Sequence, residues 1–225
     1  MNEIEIRKAQ EKDVDFLIET IIHAEKSGTE NLSYCKFFSI SEAELTSILK
    51  EILEEDIEGQ ELCISGFLIA FIDNKPVGAI CSWIEGSDGN PAAILKANIF
   101  YHFFGMEKCE QASDKLKIAE ALTLEREMGA IQIESVYVHE SARGKGISKK
   151  LIIEHVKNYY SSNPEVKKVQ IILAKTNDNA FFAYKNAGFE IVKEKHTDNK
   201  EVLDLLPSDT LVLMENSVEN IIKYL

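Results

Sequence analysis

Arg143, Gly144, Lys145, Gly146 and Lys149 stand within seven positions of one another in a chain that is otherwise strongly acidic. They follow the alternating run "AIQIESVYV" and precede an amphipathic one, so they form the turn between a strand and a helix. A turn of this kind aims several backbone N–H groups in one direction, and the start of the helix adds partial positive charge. Glycine lets the backbone approach a ligand closely, while the three cations supply compensating charge. The chemistry that suits such a place is the binding of a phosphate or pyrophosphate. The spacing is neither the GxxxxGK[ST] of a P-loop nor the GxGxxG of a dinucleotide fold. A plain strand-to-helix connection with solvated lysines is the competing reading.

The elements that position this turn are legible from periodicity. "EIEIRKA" alternates and reads as a strand; Val14, Leu17, Ile18 and Ile21 recur at helical spacing behind Asp13. Ser41 and Glu44 form a capping box ahead of the stripe Leu45, Ile48, Leu49, Ile52, Leu53. Between these helices "SGTENLSYCKFFS" reads as irregular. "FLIAFI", the turn "DNKP" and "VGAICSWI" make a hairpin, followed by the loop "EGSDGNP". "AAILKANIFYHFF" fits helix or strand, and residues 113–128 read as a helix ending before Gly129. After the basic turn, a helix opening near Ser148 carries Leu151, Ile152, Val156 and Tyr159 on one face. "VKKVQIILA" is a buried strand, "NDNAFFAYKNAG" a short helix, "FEIVKEKH" a strand, and "TLVLME" closes the sheet. Hairpins and crossovers alternate, which predicts an α/β chain with a mixed sheet covered by helices on both faces. Residues 1–225 show no linker, repeat or low-complexity run and read as a single domain.

Composition narrows the function. The chain has 225 residues, 45% of them apolar, with 25 Lys plus Arg against 38 Asp plus Glu and a net charge of −13. That balance argues against a nucleic-acid partner and against an anionic membrane surface, and is compatible with a cationic substrate. Cys35, Cys63, Cys81 and Cys109 stand far apart without a CxxC pair, and His23, His102, His139, His155 and His196 show no metal-ligand spacing. No metal is expected. The first residues are charged and lack a signal-peptide apolar segment, and no stretch is long enough to span a bilayer, so a cytoplasmic protein is expected.

"VYVHESARGKGISKKL" resembles the acetyl-CoA-binding motif of the GNAT superfamily of N-acetyltransferases, Arg/Gln-x-x-Gly-x-Gly/Ala. Arg143 and Gly146 match, and Ser148 stands where the pattern has Gly or Ala. Downstream, "NDNAFFAYKNAGFEIV" resembles the family's second block, with Asn177, Ala180, Tyr184, Gly188 and Phe189 in register. Glu140 departs from the pattern at a position where Pro is frequent. The resemblance implies a GNAT-like fold: a mixed, mostly antiparallel sheet of about seven strands with a splayed, V-shaped cofactor cleft. It implies acetyl-CoA as co-substrate, the arm of which would lie along Val136, Tyr137 and Val138, flanked by Asn177, Phe181 and Tyr184. The pyrophosphate would be held at Arg143, Gly144, Lys145, Gly146, Ile147, Ser148 and Lys149. The acceptor would be an amine, on a small molecule or a peptide, and the protein a monomer or homodimer.

Acetyl transfer from a thioester to an amine needs a proton acceptor, a donor to the oxyanion and an acid for the departing thiolate. By resemblance Tyr184 is the acid; otherwise it is a core tyrosine with its hydroxyl on a carbonyl. Glu134, placed by period-two alternation on the face of Val136 and Val138, is the candidate base, or else an ordinary strand glutamate. Tyr137 and His139 alternate to the opposite face, and the Val138 N–H is the oxyanion donor. Trp83 is assigned to core packing, with the acceptor cleft as the alternative. Two other functions remain open at this level: an acyl-CoA sensor without turnover, and a generic nucleotide- or partner-binding α/β domain.

Overall fold

The computed structural model describes residues 3–224. Seven strands among them form one sheet: β1 (Glu5–Lys8), β2 (Phe67–Ile72), β3 (Lys75–Ile84), β4 (Ile131–Val138), β5 (Lys168–Ala174), β6 (Glu190–His196) and β7 (Thr210–Ser217). The helices are α1 (Val14–Lys26), α2 (Ser33–Phe38), α3 (Glu42–Glu55), α4 (Ala92–Phe103), α5 (Met106–Glu120), α6 (Ile147–Ser162), α7 (Asp178–Asn186), α8 (Val202–Leu205) and α9 (Val218–Tyr224). The strand order is β1-β2-β3-β4-β5-β7-β6, and every neighbouring pair is antiparallel except β4 with β5. This is the mixed, mostly antiparallel α/β sheet that the sequence implies.

Local chemistry explains most elements. Asp73 and Asn74 both take positive φ, 51° and 62°, which closes the β2–β3 hairpin with the backbone twist a two-residue loop needs. Ser41 Oγ accepts the Glu44 N–H at 3.1 Å and caps α3. Alternation then sorts side chains into two layers. Phe67, Ile69 and Phe71 with Ala79 and Cys81 pack under α1 and α3, while Leu68, Ala70 and Ile80 pack under α6.

The connection from β3 to β4 departs from the simplest expectation. These strands pair antiparallel, so a short hairpin would join them, yet residues 85–130 intervene as two helices and a loop. "AAILKANIFYHFF" resolves as helix α4. Its apolar residues are scattered round the axis, with Ile99 buried while Ile94 and Tyr101 are each 52% exposed, which explains the absence of a periodic stripe. The helix expected over 113–128 lies earlier, at Met106–Glu120, because residues 121–130 leave the helix to run past the sheet, where the Glu127 N–H donates to Gln170 Oε1 at 3.0 Å. The segment expected to be irregular contains α2, and α9 follows the last strand.

His155 on α6 couples this packing to pH. It is 5% exposed. Its ring is satisfied as a neutral imidazole, with Nε2–H donating to the Ile80 carbonyl at 3.1 Å and Nδ1 accepting from Ser82 Oγ at 2.7 Å. Burial brings its pKa from 6.5 down to about 4. The unfolded chain therefore binds a proton that the folded one refuses. Stability from this residue is present above pH 6.5 and is lost as the pH falls toward 4. The loss amounts to about 3 kcal/mol across that window. Urea midpoints measured at neutral pH and near pH 4.5 should show that fall in the parent protein and a flatter dependence in His155→Gln. Equal pH dependence in the two would remove this role.

Candidate active site

β4 and β5 pair over only three positions, Ile131–Ile133 against Val169–Ile171, and then part. The parting begins at Ser135, a non-glycine residue at φ 49°. Against β3 the register slips there: Cys81 faces Glu134 and Ala79 faces Tyr137, so Ser135 and Val136 together oppose Ile80. This is a β-bulge, one extra residue that bends the strand away from its neighbour. Beyond it the His139 N–H donates to the Val77 carbonyl at 2.9 Å, on the β3 side. Alternation then turns the N–H and C=O of Val138 toward the gap. The carbonyl accepts Arg143 Nε at 3.1 Å, and the N–H faces the open cleft.

The bulge overturns one expectation. Glu134 does not share the face of Val136 and Val138. Cross-strand partners share a face, so Glu134 lies with Cys81, and Tyr137 with Ala79, on the α1 side of the sheet. Val136 and Val138 pack against the opposite layer. Tyr137, expected opposite Glu134, is on its side, stacked on His23 at 4.5 Å and donating to Glu19 Oε1 at 3.3 Å.

A cleft of about 830 Å³ fills the parting, and Glu134, Val136, Tyr137, Val138, Arg143, Gly144, Gly146, Ile147, Ser148, Asn177 and Tyr184 all line it. Three expected residues do not. Lys145 and Lys149 lie outside its wall, and Phe181 turns aside to a shallow groove with Phe189 and Met214. On α7 the cleft face is instead Ala180, Ala183 and Tyr184. Asn177 is on the wall but its amide is committed: Oδ1 accepts the Ala180 N–H at 3.2 Å and Nδ2 donates to Ser27 Oγ at 3.1 Å. It ties the start of α7 to the end of α1.

At the basic turn Gly144 and Gly146 take φ 76° and 70°, and a Cβ on either would meet no atom within 4 Å. Glycine is therefore required by the backbone conformation and leaves open space in front of the turn. Gly146 caps α6, whose first N–H groups lack intrahelical partners and open on the cleft at Ile147 and Ser148. An open, glycine-lined helix start with Arg143 beside it fits the pyrophosphate of a coenzyme A.

Tyr184 is 6% exposed, yet its hydroxyl makes no hydrogen bond to any described residue and lines the cleft. Burial holds its pKa above the ordinary phenol value, and the charge of Glu134 adds to the rise. It keeps its proton, and no described residue accepts it.

Glu134 is anchored. Arg126, from the loop before β4, pairs with it through Nη2, while Nη1 donates to Gln132 Oε1 at 2.9 Å. Burial raises the Glu134 pKa and outweighs the opposing charge of Arg126. Gln132 donates to Gln170 Oε1 at 2.9 Å, and Gln170 donates to Glu215 Oε2 at 3.1 Å, so a polar row crosses β4, β5 and β7 on the α1 side. Arg126 also lies over the Trp83 ring at 5.1 Å. Trp83 itself is buried, its indole N–H on Glu85 Oε2 at 2.9 Å.

The family model for the acetyltransferase (GNAT) family matches residues 31–189. The chain belongs to the GNAT acetyltransferase family. No curated protein matches its sequence. Among solved structures the GNAT chain is similar to an N-acetyltransferase from Staphylococcus aureus Mu50, with TM-score 0.62, 16% identity, and 94% of this chain and 100% of that one covered. It is also similar to the aminoglycoside acetyltransferase AAC(6')-Ib in complex with coenzyme A and kanamycin, at TM-score 0.51, 18% identity and coverage of 96% and 95%. The structure of yncA from Salmonella typhimurium with its cofactor acetyl-CoA gives TM-score 0.51, 12% identity and coverage of 96% and 94%. At these identities the likeness is one of fold. Among the described residues no helix is long and apolar enough to cross a membrane, and no group of His, Cys, Asp and Glu has metal-binding geometry.

Sequence reasoning did not find Arg126, or a group of ionisable residues near Glu134: Glu25 on α1, Tyr34 on α2, Glu61 and Lys96 on α4. A signal was present in β4, where Gln132 and Glu134 alternate with Ile131 and Ile133 in a strand buried on both faces. A polar face in such a strand needs partners, and Arg126 is one of them.

Proposed function

We propose that this chain transfers an acetyl group from acetyl-CoA to a primary amine, with both substrates bound together in the cleft. The single observation that carries this reading is Tyr184 on the wall of the cleft between β4 and β5, its hydroxyl without a hydrogen-bond partner among the described residues. The whole chain acts as one domain, since one sheet runs from β1 to β6 and both walls of the cleft belong to it. Composition supports a cytoplasmic setting.

Acetyl-CoA supplies the activated acetyl group. The chain's own residues bind and move protons around it. The N–H groups from Gly144 to Ser148 and the Arg143 side chain hold the pyrophosphate, and the backbone edge at Val136 and Val138 lines up the arm. The Val138 N–H, turned to the cleft, donates to the carbonyl oxygen where negative charge develops. Glu134, held in place by Arg126, accepts the proton that the amine gives up. Tyr184 donates its proton at the sulfur and recovers one from solvent.

Glu134→Gln should lower turnover by about a hundredfold or more, the usual size of a general-base effect. The loss should be greatest above the Glu134 pKa and below that of the amine, where Glu134 is ionised and the amine still has a proton to lose, while CoA affinity stays as in the parent. A pH–rate profile from thiol release measures this. An unchanged profile would make Glu134 a structural residue.

A further inference from the structure

Cys63 and Cys81 stand far apart in the chain, yet the fold brings their sulfurs together against Gly66. A Cβ on Gly66 would come to 2.9 Å from Cys63 Sγ and to 2.9 Å from Cys81 Sγ. Gly66 does not take positive φ, so what excludes a side chain there is the pair of sulfurs and not the backbone conformation. The meeting follows from the strand register. Phe67, the first residue of β2, is the cross-strand partner of Cys81 on β3, and the single 3-10 turn Ile64–Gly66 folds the preceding chain back so that Cys63 lies beside it. Both thiols are buried, at 1% and 0% exposure, and Cys63 Sγ donates to the Gln60 carbonyl at 3.2 Å. Cys35 and Cys109, on α2 and α5, are only partly buried. Neither Cys63 nor Cys81 lines the cleft, and the proposed acetyl transfer uses neither.

We propose that Cys63 and Cys81 form a site of reversible oxidation, at which a peroxide converts the two thiols into one disulfide. This goes beyond the acetyltransferase reading and does not depend on it. The two thiols are not equivalent. Cys63 ends the irregular segment after α3 and lies two positions from the exposed Ser65, whereas Cys81 sits on β3 inside the sheet. Local opening of that segment brings a water-sized oxidant to Cys63 first. The hydrogen bond with Cys81 holds the Cys63 thiol below its ordinary pKa, while burial pushes the Cys81 thiol well above it. Cys63 is therefore the thiolate that reacts. Its sulfur attacks one oxygen of hydrogen peroxide and the O–O bond breaks; the sulfur becomes a sulfenic acid, and the departing hydroxide takes the proton that the thiol released. Cys81 sulfur then attacks the sulfenic sulfur. The S–S bond forms, the S–O bond breaks, and the oxygen leaves as water with the Cys81 proton. Two thiols have lost two electrons, and one peroxide has become two waters. In the cytoplasmic setting proposed above, such a bond is transient and redox-sensing, not structural. Cys81 is also the cross-strand partner of Glu134, so the bond forms beside the residue proposed as the base.

The test treats the full chain, reduced and then freed of reductant, with hydrogen peroxide under native conditions. After the peroxide is removed, thiols are titrated in denaturant and the protein is digested without reductant. Two of the four thiols should be lost, the intact mass should fall by two hydrogens, and the digest should contain one linked pair of peptides, carrying Cys63 and Cys81. Dithiothreitol should return all four thiols. Cys63→Ser should form no disulfide, and Cys81→Ser should leave a sulfenic acid on Cys63 that dimedone traps, with the melting temperature as the control for folding. A folded parent that keeps four thiols under peroxide overturns the proposal. So does a link through Cys35 or Cys109, or oxygen added at Cys63 of the parent without a link. The parent alone decides these outcomes if either variant fails to fold. Because the readout is thiol count and peptide mass, its result is separate from whether the chain transfers acetyl groups.

Discussion

Tyr184→Phe should lower kcat by about a hundredfold to ten-thousandfold, the range of general acid catalysis, with little change in the dissociation constant for CoA. The substitution removes one oxygen that has no hydrogen-bond partner among the described residues, so no buried group is orphaned and the ring keeps its packing, 6.2 Å from Phe189. Folding is therefore untouched, and the whole effect falls on the proton. Burial raises the Tyr184 pKa above the ordinary phenol value, which keeps the residue protonated across the working pH range, so that it stands in the acid form when the thiolate departs. Single-turnover measurements isolate the chemical step. Full kcat in the Phe variant, with chemistry rate-limiting, would reduce Tyr184 to a packing residue.

Gly146→Val should abolish CoA binding. Gly146 takes φ 70°, which a β-branched side chain resists, and the Cβ would project into space that no protein atom occupies within 4 Å. The protein itself has room for that carbon, so the penalty in the absence of ligand is confined to the backbone of one turn. A phosphate lying on the α6 N-terminus does not have room. Calorimetry should show no measurable heat of CoA binding while the melting temperature falls by only a few degrees, about 1 kcal/mol of left-handed strain. Unchanged CoA affinity would move the phosphate site elsewhere.

The parts of this account that were legible in the sequence are local. The basic turn, the β2–β3 hairpin and the α3 cap each depend on residues within a few positions of one another, and the structure places them as expected. The parting of β4 from β5 is the splayed cleft that the family resemblance implies. The Ser135 bulge was not legible: "IQIESVYV" alternates without a break, and a serine gives no sign of positive φ. One extra residue reversed which side Glu134 and Tyr137 face, as a register slip must. Phe181 is off the cleft for a similar reason. α7 starts at Asp178, so the helical repeat carries Ala180, Ala183 and Tyr184 to the cleft and leaves Phe181 beside it. α4 was ambiguous because its apolar residues are scattered round the axis and form no single stripe. The Glu25, Tyr34, Glu61, Lys96 and Arg126 cluster is assembled from five separate segments, and no local spacing encodes it.

The central claim is that the cleft transfers acetyl groups to an amine and does not merely bind the coenzyme. Incubation with acetyl-CoA and a panel of primary amines, followed by mass spectrometry of the amines and thiol titration, separates the two. The expected result is one acetylated amine and an equal amount of free CoA thiol, both lost together in Tyr184→Phe. CoA bound in the cleft with no thiol released to any amine would contradict it.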